Sequence, residues 1–191
     1  SIRVRAEGRG ALTLAAAHGV AVGAHPAYPD LVGFGRRSMT LSSAEIIASV
    51  HYQVAALDGM AKNEGLTLDY VKPHGALYHD MMARAEVRAA IFQAIRSYNR
   101  SITLVIQATA QADEHRIEAA DAGVQVQFEA FADRCYADDG TLVHRSKADA
   151  VHPRARMLEQ VAQLVHQSTI TTQSGHTIPL QADTLCVHGD N

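Results

Sequence analysis

The apolar positions of this chain fall into two kinds of run, helical spacings and short strand-like stretches, and the two alternate along its length. That order is the signature of a parallel α/β sheet. A helix over 10–18 ends at Gly19, placed as a C′ glycine, and the strand Val20-Ala21-Val22-Gly23-Ala24 follows at once. Ser42-Ser43-Ala44-Glu45 reads as a capping box, and Ile46, Val50, Val54 and Leu57 then recur at helical spacing up to Gly65. The strand Leu68-Asp69-Tyr70-Val71 comes next, then a helix over about 83–97 and the strand Ile102-Thr103-Leu104-Val105-Ile106. A helix from about 110 to Gly123 precedes a strand over 124–128. Pro153 suits the first turn of a helix running to about Gln167, and Thr184-Leu185-Cys186-Val187 is the last strand.

No repeat, low-complexity stretch or linker interrupts the pattern, so 1–191 reads as a single domain. Five strands do not fill an eight-stranded barrel, which takes about 250 residues. The chain opens in the run-up to a helix and stops after a polar motif, so the expectation is an open sheet or a barrel lacking both terminal elements.

The residues that follow each strand carry the chemistry. After the first come His25-Pro26-Ala27-Tyr28-Pro29-Asp30 and Gly33-Phe34-Gly35-Arg36-Arg37; after the second, Lys72-Pro73-His74-Gly75. The fourth leads to Glu129-Ala130-Phe131-Ala132-Asp133-Arg134 and the last to His188-Gly189-Asp190-Asn191, whereas the third ends blandly in Gln107-Ala108-Thr109-Ala110. Ligands of parallel α/β folds sit at the carboxyl ends of the strands, where separate loops converge. The placement of His, Lys, Asp and Arg beside Gly or Pro at these ends is that of an active-site rim.

Composition narrows the class. A net charge of -3, a pI near 6.4 and scattered basic residues argue against a nucleic-acid partner. Hydrophobic residues at 47% suffice for a core without disulfides, and the two distant cysteines, Cys135 and Cys186, point to a reducing, cytoplasmic setting. No apolar run reaches the length of a membrane span, and no leader pattern opens the chain.

Each motif also has a plainer reading. His25 before Pro26 is by itself a polar residue leaving a strand. Gly33-Phe34-Gly35-Arg36 is either a surface turn or an anion-binding loop, and Asp133-Arg134 is either a local ion pair or part of the rim. Lys72 favours function, because a lysine leaving an apolar strand needs a partner or an anionic ligand. His188-Gly189-Asp190 places a histidine and an aspartate where together they activate water. His18, His51, His115, His166 and His176 are assigned no catalytic role; His79, His144 and His152 stay undecided. A metal site from His25, His74, His188 and Asp190 is conceivable but has no supporting ligand spacing, so the metal is left unknown. Walker-type and GxGxxG nucleotide signatures are absent.

The runs 22–30, 33–37, Tyr52-Gln53, Val71-Lys72-Pro73-His74-Gly75-Ala76-Leu77-Tyr78, 129–136 and 186–191, in this order and spacing, resemble the LamB/YcsF family. The resemblance implies a seven-stranded variant of the TIM barrel, from a superfamily shared with sugar-processing hydrolases and polysaccharide deacetylases. The family's leading Asp-Leu-Asn strand, its Cys-Gly-Phe-His-Ala-Gly-Asp segment and its final helix have no counterpart here. It also implies the family's assigned activity, opening of 5-oxoproline to glutamate at the expense of ATP with two partner subunits, B and C. In that chemistry Lys72 and Arg36 are expected to neutralise phosphate or carboxylate charge, and His74 and His25 to orient the ring or move protons. Asp190 with His188 would activate water, while Asp133 and Arg134 brace the rim or clamp the substrate carboxylate. Asp30 and Gly75 join the substrate-binding set. Two other readings remain open: a metal-dependent amidase or deacetylase, and a non-catalytic subunit that binds a small acid.

Overall fold

Strands and helices alternate as the apolar runs dictate, and the structure, a computed structural model, describes residues 6–188. The chain forms two units: residues up to Ile106 with Ala119–Val126, and Gln107–Glu118 with the residues from Gln127 on. In chain order the elements are α1 (Ala6–His18), β1 (Val22–Ala24), α2 (Ser43–Asn63), β2 (Leu68–Val71), α3 (Gly75–Ala83), α4 (Ala85–Arg96) and β3 (Thr103–Gln107). Then follow α5 (Ala112–Asp121), β4 (Val126–Phe131), α6 (Arg154–Gln167), β5 (Thr169–Thr171), β6 (Thr177–Pro179) and β7 (Thr184–Cys186).

In the first unit β1, β2 and β3 lie side by side and parallel, with Ala24 opposite Val71 and Val71 opposite Leu104. Parallel neighbours require crossovers, and α2 and then α3–α4 supply them. The capping box at the start of α2 forms in both directions: Glu45 N–H donates to Ser42 Oγ at 3.3 Å, and Ser42 N–H donates to Glu45 Oε2 at 2.8 Å. Ile46, Val50 and Val54 then share one buried face with Asp58 and Ala61. Each large apolar side chain so buried contributes about 1.5–3 kcal/mol. Asp58, buried on that face, is offset by Lys62 Nζ at 2.8 Å, Arg100 Nη2 at 3.2 Å and the Tyr98 hydroxyl at 3.2 Å.

In the second unit β4 and β7 are parallel, with Glu129 opposite Thr184, Ala130 opposite Leu185 and Phe131 opposite Cys186. Asp183 fixes this register, since its carboxylate accepts from Phe128 N–H at 2.9 Å and its own N–H donates to Phe128 C=O at 2.7 Å. Phe128, Tyr136, Ile170 and Leu180 are buried. Among the described residues no helix is long and apolar enough to cross a membrane.

Four elements differ from the sequence expectation. Residues 75–83 form α3, separated from α4 by Arg84 in an extended conformation. Apolar residues on most of its sides, among them buried Ala76, Leu77, Tyr78 and Met81, leave α3 without a period to read. β4 runs on to Phe131, because pairing with β7 continues the ladder through residues read as a loop. β5 and β6 form a short antiparallel hairpin that lacks an alternating apolar pattern strong enough to announce it.

Candidate active site

Two clusters of polar side chains form at the carboxyl ends of the strands, one in each unit. In the first, the backbone knits the segments after β1 and β2 together: Lys72 N–H donates to Ala24 C=O, His74 N–H to Pro26 C=O and Ala76 N–H to Gly35 C=O, at 2.8–2.9 Å. Gln53 of α2 holds the same loop from behind. Its amide oxygen accepts from Ala27 N–H at 3.0 Å, and its amide nitrogen donates to Ala27 C=O at 2.8 Å. The Tyr28 and Ser38 hydroxyls both donate to Asp80, each at 2.8 Å.

Asp30, placed in the substrate-binding set by sequence, is buried and turned into its own loop. It accepts from Gly33 N–H at 2.9 Å, from Arg37 Nε at 2.9 Å and from Arg37 Nη2. The Arg37 hydrogen bonds, first among the causes, lower its pKa to about 2. Arg36 is exposed, its guanidinium 5.5 Å from the centre of the Phe34 ring. Phe34 and Gly35 are both left-handed, with φ of 56° and 70°. For Phe34 that conformation costs about 1–2 kcal/mol. It is held in place because its carbonyl accepts from His74 Nε2 at 2.9 Å, with its ring edge-on to the imidazole at 5.2 Å.

The two histidines of this cluster touch. His25 Nδ1 lies 2.6 Å from Lys72 C=O, His25 Nε2 lies 3.0 Å from His74 Nδ1, and His74 Nε2 reaches Phe34 C=O. Carbonyl oxygens only accept, so His25 Nδ1 and His74 Nε2 each carry a proton, and the contact between the rings takes a third. Desolvation, and after it His74, lowers the His25 pKa from the ordinary 6.5 to about 3, although part of His25 meets solvent. His25 Nε2, on the ring whose pKa is lowered, is thus the acceptor end of the contact with His74 Nδ1. Lys72 is half-buried beside them, and Gly75 begins α3 directly after His74.

The second cluster is built on Asp133 and His188. Phe131 of β4 faces Cys186 of β7, and two residues further along each segment the Asp133 carboxylate meets His188. His188 Nδ1 donates to the two carboxylate oxygens at 2.9 and 3.1 Å. The Asp133 side chain is 1% exposed and that of His188 28%. The His188 ring also stacks on Phe131 at 5.9 Å with planes 17° apart. An acceptor fixed on Nδ1 selects the tautomer with a bare Nε2, which is the arrangement of an oriented general base. The sequence paired His188 with Asp190; Asp190 lies outside the described residues, and Asp133 fills that part for His188. Arg134 is buried, donating from Nη2 to Val143 C=O at 2.7 Å and from Nε to Ala150 C=O at 3.2 Å, so it braces the loop.

The roles of two residues escaped sequence reasoning. Gln53 and Gln160 are polar residues inside helical stretches, and nothing in a helical pattern separates a buried amide from a solvated one. Glu129, noted only as part of a loop, is a buried carboxylate within β4. Among the described residues, no group of three His, Cys, Asp or Glu side chains is placed to hold a metal ion.

Comparison with known proteins identifies close relatives. The LamB/YcsF family model matches residues 9–191. A protein of Pseudomonas putida, named as the second of that organism's A-type subunits of 5-oxoprolinase, is 48% identical over 184 residues, which is 96% of this chain and 71% of that protein. The A-type 5-oxoprolinase subunit of Chromohalobacter salexigens is 46% identical over 184 residues, 96% of this chain and 74% of the relative. The crystal structure of the lactam utilization protein from Thermus thermophilus superposes with a TM-score of 0.85 at 40% identity, covering 96% of this chain and 73% of that one. Parallel strands joined by helices, together with this likeness, make the fold class α/β of the TIM-barrel-like kind.

Proposed function

The chain belongs to the LamB/YcsF family, and from that membership we propose that it is the A-type subunit of a cytoplasmic, ATP-dependent 5-oxoprolinase acting with the B and C subunits. The names of its relatives support a role in the metabolism of this lactam. The observation that carries the chemistry is the Asp133–His188 pair.

A lactam carbonyl is a weak electrophile, so ring opening asks for an activated water, a stabilised oxyanion and a proton for the departing nitrogen. In this proposal His188 Nε2 takes a proton from water as the water oxygen bonds to the ring carbonyl carbon. Asp133 stabilises the imidazolium that results. When the C–N bond breaks, the same imidazolium returns the proton to the ring nitrogen, which becomes the amine of glutamate. Lys72 supplies positive potential for the substrate carboxylate or a phosphate, Arg36 adds to it from the rim, and His25 and His74 orient the ring or move protons. ATP, a substrate of the complex, gives its terminal phosphoryl group to the lactam oxygen and leaves as ADP; ring opening then yields the acyl phosphate of glutamate, and a second water releases inorganic phosphate to leave glutamate. Gly75 and Asp30 act by shaping the loops, and Asp190 remains a proposed partner in water activation.

The test is glutamate release from 5-oxoproline by the chain with both partner subunits, with and without ATP. ATP-dependent glutamate from the wild type, lost about 10²- to 10⁴-fold in His188→Gln, supports the reading. Full turnover in His188→Gln refutes the role of the dyad, and binding of 5-oxoproline without turnover would favour a binding subunit.

A further inference from the structure

Asp133 sits in a short segment whose carbonyl groups are gathered by two residues. Gln160 of α6 is 2% exposed. Its amide nitrogen donates to Phe131 C=O at 2.8 Å and Arg134 C=O at 2.9 Å, with Ala132 C=O third at 3.3 Å. Acceptors around one end of an amide identify that end as nitrogen. The amide oxygen therefore accepts from His152 Nε2 at 3.2 Å. Burial, the largest cause, pushes His152 below its ordinary pKa, and the Gln160 oxygen, as the acceptor beside Nε2, selects the tautomer that carries its proton there. The backbone N–H of His152 takes the remaining carbonyl, that of Asp133, at 2.9 Å. Four successive carbonyls, of residues 131–134, are thus held by one side chain and its hydrogen-bond partner. On the other side Ala132 N–H donates to Cys186 C=O at 2.9 Å, two residues before His188.

We propose that Gln160, locked by His152, is a positioning residue for the Asp133–His188 pair. It sets the pitch of the 131–134 segment so that both carboxylate oxygens face His188 Nδ1 and hold its proton there. The proposal rests on the reading of His188 as the base. An amide suits the task because it has two N–H groups for the carbonyls and an oxygen for His152. No apolar residue satisfies buried carbonyls, so an apolar replacement leaves them unpaired and frees the segment to shift.

The experiment records long-range ¹H–¹⁵N correlations of the histidine rings in the full chain, above the histidine titration range, with His188 assigned through His188→Gln. The wild type is expected to show neutral His188 protonated at Nδ1, and Asp133→Asn to move that proton to Nε2. Gln160→Met, checked for folding by circular dichroism, is expected to populate the Nε2–H form. In the complex with both partner subunits it is expected to lower kcat about 10- to 100-fold with KM little changed. His152→Phe, which removes only the lock on the amide, shifts the tautomer in the same direction and decides the matter if Gln160→Met does not fold. A His188 that keeps its Nδ1 proton in the variants that fold overturns the proposal. A tautomer shift in a protein whose wild-type complex makes no glutamate upholds the positioning role and refutes the assigned reaction instead.

Discussion

Replacing Gly75 by alanine drives a methyl group into the joint between the two loops of the first cluster. Gly75 has φ of 59°, and a Cβ built there lies 2.5 Å from the carbonyl oxygen of Gly35. The left-handed conformation alone costs an alanine about 1–2 kcal/mol. The contact is backbone on backbone, so relief requires the Gly35 carbonyl to retreat by several tenths of an ångström. That carbonyl accepts from Ala76 N–H at 2.9 Å, and losing the bond adds about 1 kcal/mol. The sum is a loss of about 2–3 kcal/mol, equivalent to a fall in Tm of roughly 5–10 °C for a chain of this size. Since Phe34 C=O and His74 Nε2 meet beside this joint at 2.9 Å, the shift also loosens the histidine pair. Urea unfolding gives the stability change. Gly75→Asn is an informative companion, because asparagine tolerates the left-handed region but retains the clash. A Gly75→Ala protein within about 0.5 kcal/mol of wild type would refute the close approach as a constraint.

Other perturbations follow from the same geometry. Asp133→Asn leaves the shape of the dyad but removes the charge that orients His188, and should lower kcat in the complex by about 10²- to 10⁴-fold; unchanged turnover would exclude Asp133 from the mechanism. His25 is held near pKa 3 when folded and near 6.5 when unfolded, so below pH 6.5 the unfolded chain takes up a proton that the folded one refuses. Its contribution is therefore intact above pH 6.5 and drains away as the pH falls toward 3, and His25→Gln should flatten that part of a stability-versus-pH curve. Asp30 acts the same way lower down: its paired carboxylate stabilises the fold above the unfolded carboxyl range, and that contribution is lost as the pH falls through about 2. Urea titrations of Arg37→Gln, which removes the partner, should show a shallower acid limb. Gly59→Ala, inside α2 with nothing within 4 Å of the added methyl, should gain about 0.5–1 kcal/mol in urea unfolding.

What could be read from the chain is what short-range rules determine. The Ser42 capping box, the helix behind it and the sites of β2 and β7 depend on residues near in sequence, and all formed as read. The rule that parallel strands present their chemistry at their carboxyl ends was enough to collect His25, Lys72, His74, Asp133 and His188. It did not separate residues that face a ligand from residues that hold a loop, because that distinction depends on tertiary hydrogen bonds. Asp30 and Arg134 carry the same charges as the rim residues, yet one is tied to Arg37 and Gly33 and the other to the carbonyls of Val143 and Ala150.

The pairing of His188 shows most clearly where sequence reading stops. Asp190 is two residues away along the chain and Asp133 is 55 away, so proximity in sequence selects Asp190. The structure adds Asp133, which the end of the β4–β7 ladder brings to His188. With Phe131 opposite Cys186, two further steps along each segment bring Asp133 level with His188. Parallel neighbours that are level in register present side chains on the same face. A slip of one residue between β4 and β7 would place Ala132 or Arg134 there instead and leave the imidazole without a carboxylate. The clamp that prevents that slip is Asp183, whose N–H and carboxylate both hold Phe128 at the entry to the ladder. Asp183→Ala is therefore expected to weaken the dyad from the far end of the strand pair, with the His188 proton leaving Nδ1 as its signature. A dyad unchanged in that variant would show that the loop beyond β4, and not the strand register, sets the position of Asp133.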